Sequence, residues 1–326
     1  MIIGRLLWRA ALCIALSAAT SAHAQDWPKQ PVRLVVPYAP GGAVDLMARA
    51  LSERLAVRWK QPVVVENRAG ASEVIAATYV KGAAPDGYTL FLATEVGLET
   101  NPFLFSKLAY DPQTDLTPVT RVIEGPLIYV VKSDSPVTSF QDLLARARAK
   151  PATISYGSSG AGGAIHLATH WLGVVAGDVQ FVHAPYKGSA PTMSDLLAGV
   201  LDFTAAPLSV VAPYLADKRM RALATSGPKR LVVLPDVPSF AELGYARAVS
   251  QFMFGLVGPA RMPPDLTRQI AADVAAVVND RAFQEKNIDP FGFTLAIETP
   301  EQFRKFLADN RENQRARVAA ANVKLD

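Results

Sequence analysis

Short apolar runs alternate with helical periodicity along most of the chain. Residues 32–36 (VRLVV) read as a buried strand. From Val44 the spacing turns helical, with Leu46, Met47, Ala50, Leu51 and Leu55 on one side. Residues 62–66 (PVVVE) predict a second strand, 73–81 a helix and 88–93 (YTLFLA) a third strand. Ser72 is placed to cap that helix, and Glu73 suits its dipole. Strand, helix, strand, helix, strand implies a parallel sheet with right-handed crossovers. Asn101-Pro102 and Tyr110-Asp111-Pro112 mark an irregular connection, and 127–131 (LIYVV) another strand. Ser139 caps a helix over 140–150.

The same organisation then recurs without sequence repetition. Residues 154–156 are a strand, and the following helix carries Ile165, Leu167, Ala168 and Leu172. Further strands start at Phe181, Leu201 and Arg221, with a helix over 191–199. The strand 201–206 enters another loop. Residues 252–257 (FMFGLV) are strand-like, and Pro263-Pro264 opens a long amphipathic helix to Val278. Thr299 caps a last helix with Pro300 at its first position. Phe303, Phe306, Leu307 and Val318 dock that helix.

Two connections are glycine loops between a strand and a helix: Pro37-Tyr38-Ala39-Pro40-Gly41-Gly42 and Gly157-Ser158-Ser159-Gly160-Ala161-Gly162-Gly163. Free N–H groups in a first helical turn, with the positive end of the dipole, let an anion rest there without a cationic side chain. Strand ends of open parallel sheets are where ligands bind.

Length and composition add limits. The 326 residues suit two domains of roughly 150. Half are hydrophobic and 19% charged, which marks a globular chain. Arg5 and Arg9, the apolar stretch 10–20 and Ala22-His23-Ala24 read as an export signal cleaved after Ala24. The one cysteine, Cys13, lies inside it, so the mature chain carries no disulfide or thiol chemistry. The net charge of +4 halves once Arg5 and Arg9 are removed. No aromatic-basic pattern points to nucleic acid, and no later stretch is apolar and long enough to span a membrane.

Pro40-Gly41-Gly42 with Asp45 and Ala48-Arg49, Asn67-Arg68-Ala69-Gly70-Ala71, Pro85-Asp86-Gly87-Tyr88-Thr89-Leu90, Tyr156-Gly157-Ser158-Ser159-Gly160, His166-Leu167-Ala168, Pro185-Tyr186-Lys187-Gly188, Asp195-Leu196-Leu197-Ala198-Gly199 and Leu234-Pro235-Asp236-Val237-Pro238 together resemble the Bug family. These are TctC-like periplasmic solute receptors of tripartite tricarboxylate transporters. The resemblance covers nearly all of the chain after the signal, and it implies an α/β, two-lobed periplasmic-binding-protein fold of type II-like form, each lobe a mixed, mostly parallel sheet flanked by helices. Residues 1–24 are the signal peptide, 25–123 the first part of lobe 1, 124–245 lobe 2, and 246–326 the return to lobe 1 with the C-terminal helices. It further implies a periplasmic monomer without cofactor. That monomer captures a small organic acid (a di- or tricarboxylate, an acidic amino acid or an aromatic acid), closes on it, and delivers it to the permease subunits. The residues expected to meet the ligand are Tyr38, Pro40, Gly41, Gly42, Asp45, Thr94, Glu95, Ser158, Ser159, Gly160, His166, Tyr186 and Ala206.

Two departures from the family stand out. Many members have glycines at the positions of Ser72 and Glu73, and many carry an aspartate near Ala206. Glu95 stands in a loop that usually presents small or hydroxyl residues. A desolvated acid there repels a carboxylate. So either Glu95 points out, or the ligand brings a donor or a positive group. Asp45 can cap its helix or reach the cleft.

Two other functions are alternatives for the sequence: a ligand-dependent partner of a sensor kinase, and an exported hydrolase. For the hydrolase there is no Gly-x-Ser-x-Gly elbow, although Ser158 could pair with His166 or His183. His166 and His170 share a helix face without the acid or cysteine neighbours of a metal site, so no metal is expected.

Overall fold

A computed structural model describes residues 27–325. The export signal, its cleavage point and Cys13 lie outside the described residues. The chain opens on β1 (Val32–Val36), α1 (Ala43–Trp59), β2 (Val63–Asn67), α2 (Val74–Lys81) and β3 (Thr89–Thr94). β1 pairs in parallel with both β2 and β3, as the strand–helix alternation requires.

After β3 the connection opens on helix, a π-helix (Val96–Thr100) that runs into α3 (Asn101–Leu104), and is irregular as expected over 105–115. Its five π residues are all buried, so its backbone must bond internally. Ser72 does not cap α2. Ala71, Ser72 and Glu73 all have positive φ, and Glu73 itself precedes the helix with no side-chain cap. Three left-handed non-glycine residues in a row turn the Ser72 hydroxyl away from the helix axis.

β4 (Leu116–Lys132) is three times the expected apolar run. Residues 116–126 pair with β9 and 127–130 with β7. Pro118, Arg121 and Glu124 interrupt the apolar pattern, and register shifts beside Pro118 and Arg121 absorb them. Arg121 is held by Glu124 at 3.0 Å and Glu298 at 2.9 Å, which permits a charge in a largely buried strand.

Next come α4 (Phe140–Ala149), capped by Ser139 Oγ accepting from the Asp142 amide, then β5 (Ser155–Ser158), α5 (Ala164–Val175), β6 (Val182–Pro185), α6 (Ser189–Ala198) and β7 (Phe203–Pro207). The expected loop after β7 is α7 (Leu208–Ala216), followed by β8 (Met220–Thr225). The chain returns through β9 (Gln251–Pro259), α8 (Pro264–Val278), α9 (Arg281–Asn287), the short β10 (Thr294–Leu295) and α10 (Pro300–Ala321). Thr299 and Gln302 form a reciprocal capping box at the start of α10.

The strand order is β2-β1-β3-β9-β4-β7-β5-β6, with β8 and β10 also on β4. One half of the sheet therefore centres on β1, β3 and β9, and the other on β5 and β7, with β4 common to both. Phe91, Leu92 and Val257 are sealed in the first half, and Tyr129, Phe140, Phe203 and Phe240 pack as rings in the second.

Candidate functional site

Four helices start at one crevice between the two halves of the sheet. Gly42, Ala43 and Val44 from α1, Ala164 and Ile165 from α5, Ser189 from α6 and Pro207 immediately before α7 all line it. Tyr38, Thr94, Glu95, Leu127, Ser159, Phe252 and Phe254 complete the wall. About 480 Å³ of non-atom space, open solvent at the mouth included, lies among these residues, and no lysine or arginine lines it among the described residues. Each helix start carries roughly half a positive charge on unbonded amides, so the walls favour an anion without presenting a cation.

The sequence builds the first start in a specific way. Gly41 sits at φ 85° and donates its amide to Asp45 Oδ2 at 3.0 Å. Asp45 is in turn gripped by Arg49 through both carboxylate oxygens (2.9 and 3.0 Å) and by Asn67 Nδ2 at 2.9 Å. These bonds hold the Asp45 carboxyl below its ordinary value against the opposing effect of burial. Asp45 thus braces the loop and does not line the crevice. Gly42, Ala43 and Val44, at the start of α1, line the hollow.

The second loop is braced by histidine. Gly162 donates its amide to His166 Nδ1 at 2.9 Å, and His166 stacks on His183 with ring centres 3.8 Å apart. His183 Nε2 meets Ser158 Oγ at 2.7 Å. Burial pushes His166 down to about 3 and His183 down to about 4, so both rings are neutral at ordinary pH. Ser158 is fully buried, its hydroxyl also bonded to the Gly160 carbonyl. With no carboxylate on His183 among the described residues and no access to the Ser158 oxygen, this pair lacks the geometry of a nucleophilic triad.

Of the residues expected at the ligand, Tyr38, Gly42, Thr94, Glu95 and Ser159 come together in the crevice. Gly160 and Tyr186 lie in an adjoining hollow at its mouth, where Tyr186 donates to Asp195 at 2.6 Å. Pro40 and Gly41 are on the exposed side of their loop. Ser158 and His166 sit beneath the second loop. Ala206 is sealed in β7 opposite Ile128, and its neighbour Pro207 is the residue that reaches the crevice.

Glu95 points in, not out: it is buried, and its Oε2 accepts from the Met253 amide at 3.1 Å. Burial, reinforced by the charge of Glu73, raises its carboxyl to about 7. Glu73 is itself buried at φ 73°, accepting from the Tyr38 hydroxyl at 2.7 Å and from the Thr94 hydroxyl. Burial raises its carboxyl too, against these hydrogen bonds. A left-handed glutamate is a strained conformation of the sort that collects at ligand sites. Its position was visible in the sequence only as a replaced glycine. Phe252, Phe254 and Leu127 gave no local signal, because their strands join the crevice only in the fold.

Residues 47–323 match the model of the tripartite tricarboxylate transporter family receptor. Protein BugT of Bordetella pertussis is 32% identical over 312 residues, covering 94% of each chain. Among solved structures, R. palustris Rpa4515 with adipate superposes with a TM-score of 0.87 at 32% identity, covering 91% of this chain and 99% of the other. The periplasmic binding protein BugD superposes with a TM-score of 0.86 at 29% identity, over 91% and 99%. The α/β architecture of this chain is thus a periplasmic-binding-protein fold.

Proposed function

Because the chain belongs to the tripartite tricarboxylate transporter receptor family, we propose that it is a periplasmic receptor that captures a small organic carboxylate in the crevice, closes over it and hands it to membrane permease subunits without chemical change. The observation that carries this reading is the convergence of four helix starts on a crevice lined, among the described residues, by no basic side chain. An anion entering it replaces water by amides already aimed inward, so little reorganisation opposes binding. The lobe boundaries near residues 124 and 245 belong to the same reading, with β4 as the strand common to both lobes and the chain returning to lobe 1 ahead of β9. Adipate in the similar Rpa4515 structure supports a carboxylate as the guest.

The acid in the wall fits this guest once its protonation is considered. A neutral Glu95 carboxyl is a hydrogen-bond donor, so it can present a proton to a carboxylate instead of a charge.

The test is calorimetry of the chain without its signal segment against dicarboxylates, tricarboxylates, acidic amino acids and aromatic acids. Saturable binding to at least one class, with the compound recovered unaltered, is the expected result. Absence of binding across all four classes overturns the reading, and so does turnover of a bound acid.

A further inference from the structure

The last helix belongs to one half of the sheet at its start and meets the other half at its end. Phe303 is sealed among Val35, Phe91 and Val257 of the first half, and Asn310 bonds Glu99 of the π-helix at 2.9 Å. About four turns beyond Phe303, Val318 and Ala321 pack with Leu104 of α3 and with Leu167 of α5. α5 lies between β5 and β6, so Leu167 comes from the second half. Asn322 then leaves the helix in a left-handed turn at φ 49°. The Leu325 amide donates to the Leu104 carbonyl at 2.9 Å, and Lys324 Nζ donates to the Phe103 carbonyl at 3.2 Å. Arg311 lies 5.1 Å over the Phe103 ring and ties α3 to α10 from the other side. Val323 and Leu325 close over the same apolar cluster, which is separate from the two larger cores. The cluster also reaches the second glycine loop. Gly162 is buried at φ 71°, and a Cβ there would run into both Leu104 and Leu325. Those two side chains therefore sit directly on the backbone of the loop whose Ser159 lines the crevice. Parting the halves returns this apolar contact to water, so the contact favours the shut arrangement.

Building on the receptor reading above, in which the crevice opens and shuts, we propose that residues 322–325 are a strap. Leu325, seated on Gly162 beside Leu104, holds the second glycine loop against the first half, and this seat sets the balance between open and shut forms. Among the described residues that line the crevice, none belongs to the strap. It acts on the guest through that balance and not by contact. Weakening the seat lowers apparent affinity by the share of shut form that is lost, while the crevice wall stays as it is.

The experiment uses the chain without its signal segment, which carries no cysteine and so accepts a clean pair of spin labels. Val57→Cys on α1 and Val200→Cys after α6 are exposed positions on opposite halves. Electron–electron double resonance reads the distance between the labels without acid and with succinate, citrate, glutamate or benzoate. Leu325→Ser is expected to move the ratio of short to long distances toward the long by about fivefold or more under the same conditions. Leu325→Met keeps the apolar bulk and should keep the parent ratio. Thermal melts of the same samples report folding. A lowered melting temperature with unchanged distances assigns Leu325 to fold stability alone and overturns the strap. So does an equal shift in Leu325→Met, since apolar contact is then not what holds the loop. If an acid shortens the distance equally in the parent and in Leu325→Ser, the strap is overturned and the receptor reading stands. A parent distance that none of the four acids changes counts against closure itself, and the strap falls with it.

Discussion

The Ser72 hydroxyl donates to the Ala161 carbonyl at 2.6 Å, joining the loop after β2 to the loop after β5 across the mouth of the crevice. Asn101 Nδ2 holds the Ser72 carbonyl from behind at 2.7 Å. This bond ties two loops that are 89 residues apart in the chain. In the proposed closure this bond forms only when the two loops are close. Ser72→Ala removes it and leaves the left-handed backbone in place. Loss of about 1 kcal/mol should weaken ligand affinity roughly fivefold. Ser72→Gly should weaken affinity similarly while melting higher than the alanine variant, because glycine relieves φ 48°. Calorimetry and thermal melts read both effects. Unchanged affinity in Ser72→Ala would separate this bond from ligand capture.

Gly42→Asp should abolish binding without unfolding the protein. The position has ordinary φ and an added Cβ meets only the Ala39 carbonyl at 3.8 Å, so the side chain fits. A carboxylate at that N-cap takes the same amides that await the guest and strengthens the helix by roughly a few tenths of a kcal/mol, since glycine is itself a tolerated N-cap. A raised melting temperature with affinity at least ~100-fold weaker is the expected pair of results, whereas Gly42→Ala should melt near the parent and keep measurable binding.

Carboxylate affinity should fall as pH rises through the range about 7, where Glu95 loses its proton. Above that range its charge opposes an anionic guest. Below it, the carboxyl donates. Glu73 faces it with a like charge, while the Met253 amide and Arg317 oppose the shift. Glu95→Gln keeps a neutral donor at every pH, so its affinity profile should be flat and should match the parent at pH about 6. A parent profile already flat between pH about 6 and about 8.5 would contradict this role for Glu95.

Stability should show a separate pH dependence from Glu99. Its Oε1 accepts from Asn310 Nδ2 at 2.9 Å, its Oε2 has no partner, and burial with the Glu95 charge raises it to about 8. The unfolded chain releases this proton near the ordinary glutamate value of about 4.3, so the folded state holds the extra proton in between. The stabilisation is complete below the unfolded value and is lost as pH climbs through about 8, at up to ~1.4 kcal/mol per unit. Glu99→Gln keeps the Asn310 bond and should melt higher than the parent at pH about 8 but not at pH about 5. Parallel melting curves for the two proteins would place the buried charge elsewhere.

What the sequence disclosed depended on whether a role was local. The strands at 32–36, 62–66 and 88–93, the Ser139 cap and the Thr299–Pro300 start were legible because each is set by residues within one turn. The two glycine loops were legible for the same reason. The π-helix was not, since Val96-Gly97-Leu98-Glu99-Thr100 has no periodic face: every side is buried. Ser72 looked like a cap because its neighbours read as a helix start, yet its backbone is held left-handed and its hydroxyl reaches the opposite loop. Asp45 and His166 are chemically apt for a ligand but spend their bonds bracing loops. Glu99 and Asn310 meet across 211 positions, and no local pattern could join them.

β4 has a mechanical consequence. It carries hydrogen bonds to β9 and β10 on one side of the molecule and to β7 and β8 on the other, with Gly125-Pro126 where the partners change. In the proposed closure, a backbone shared in this way works as a leaf spring, bending as the crevice opens while the strand pairing on each side is kept. Neither half keeps all its strands when the other is deleted, so a truncated half should not stand as an independent folding unit, and melting should proceed as one event.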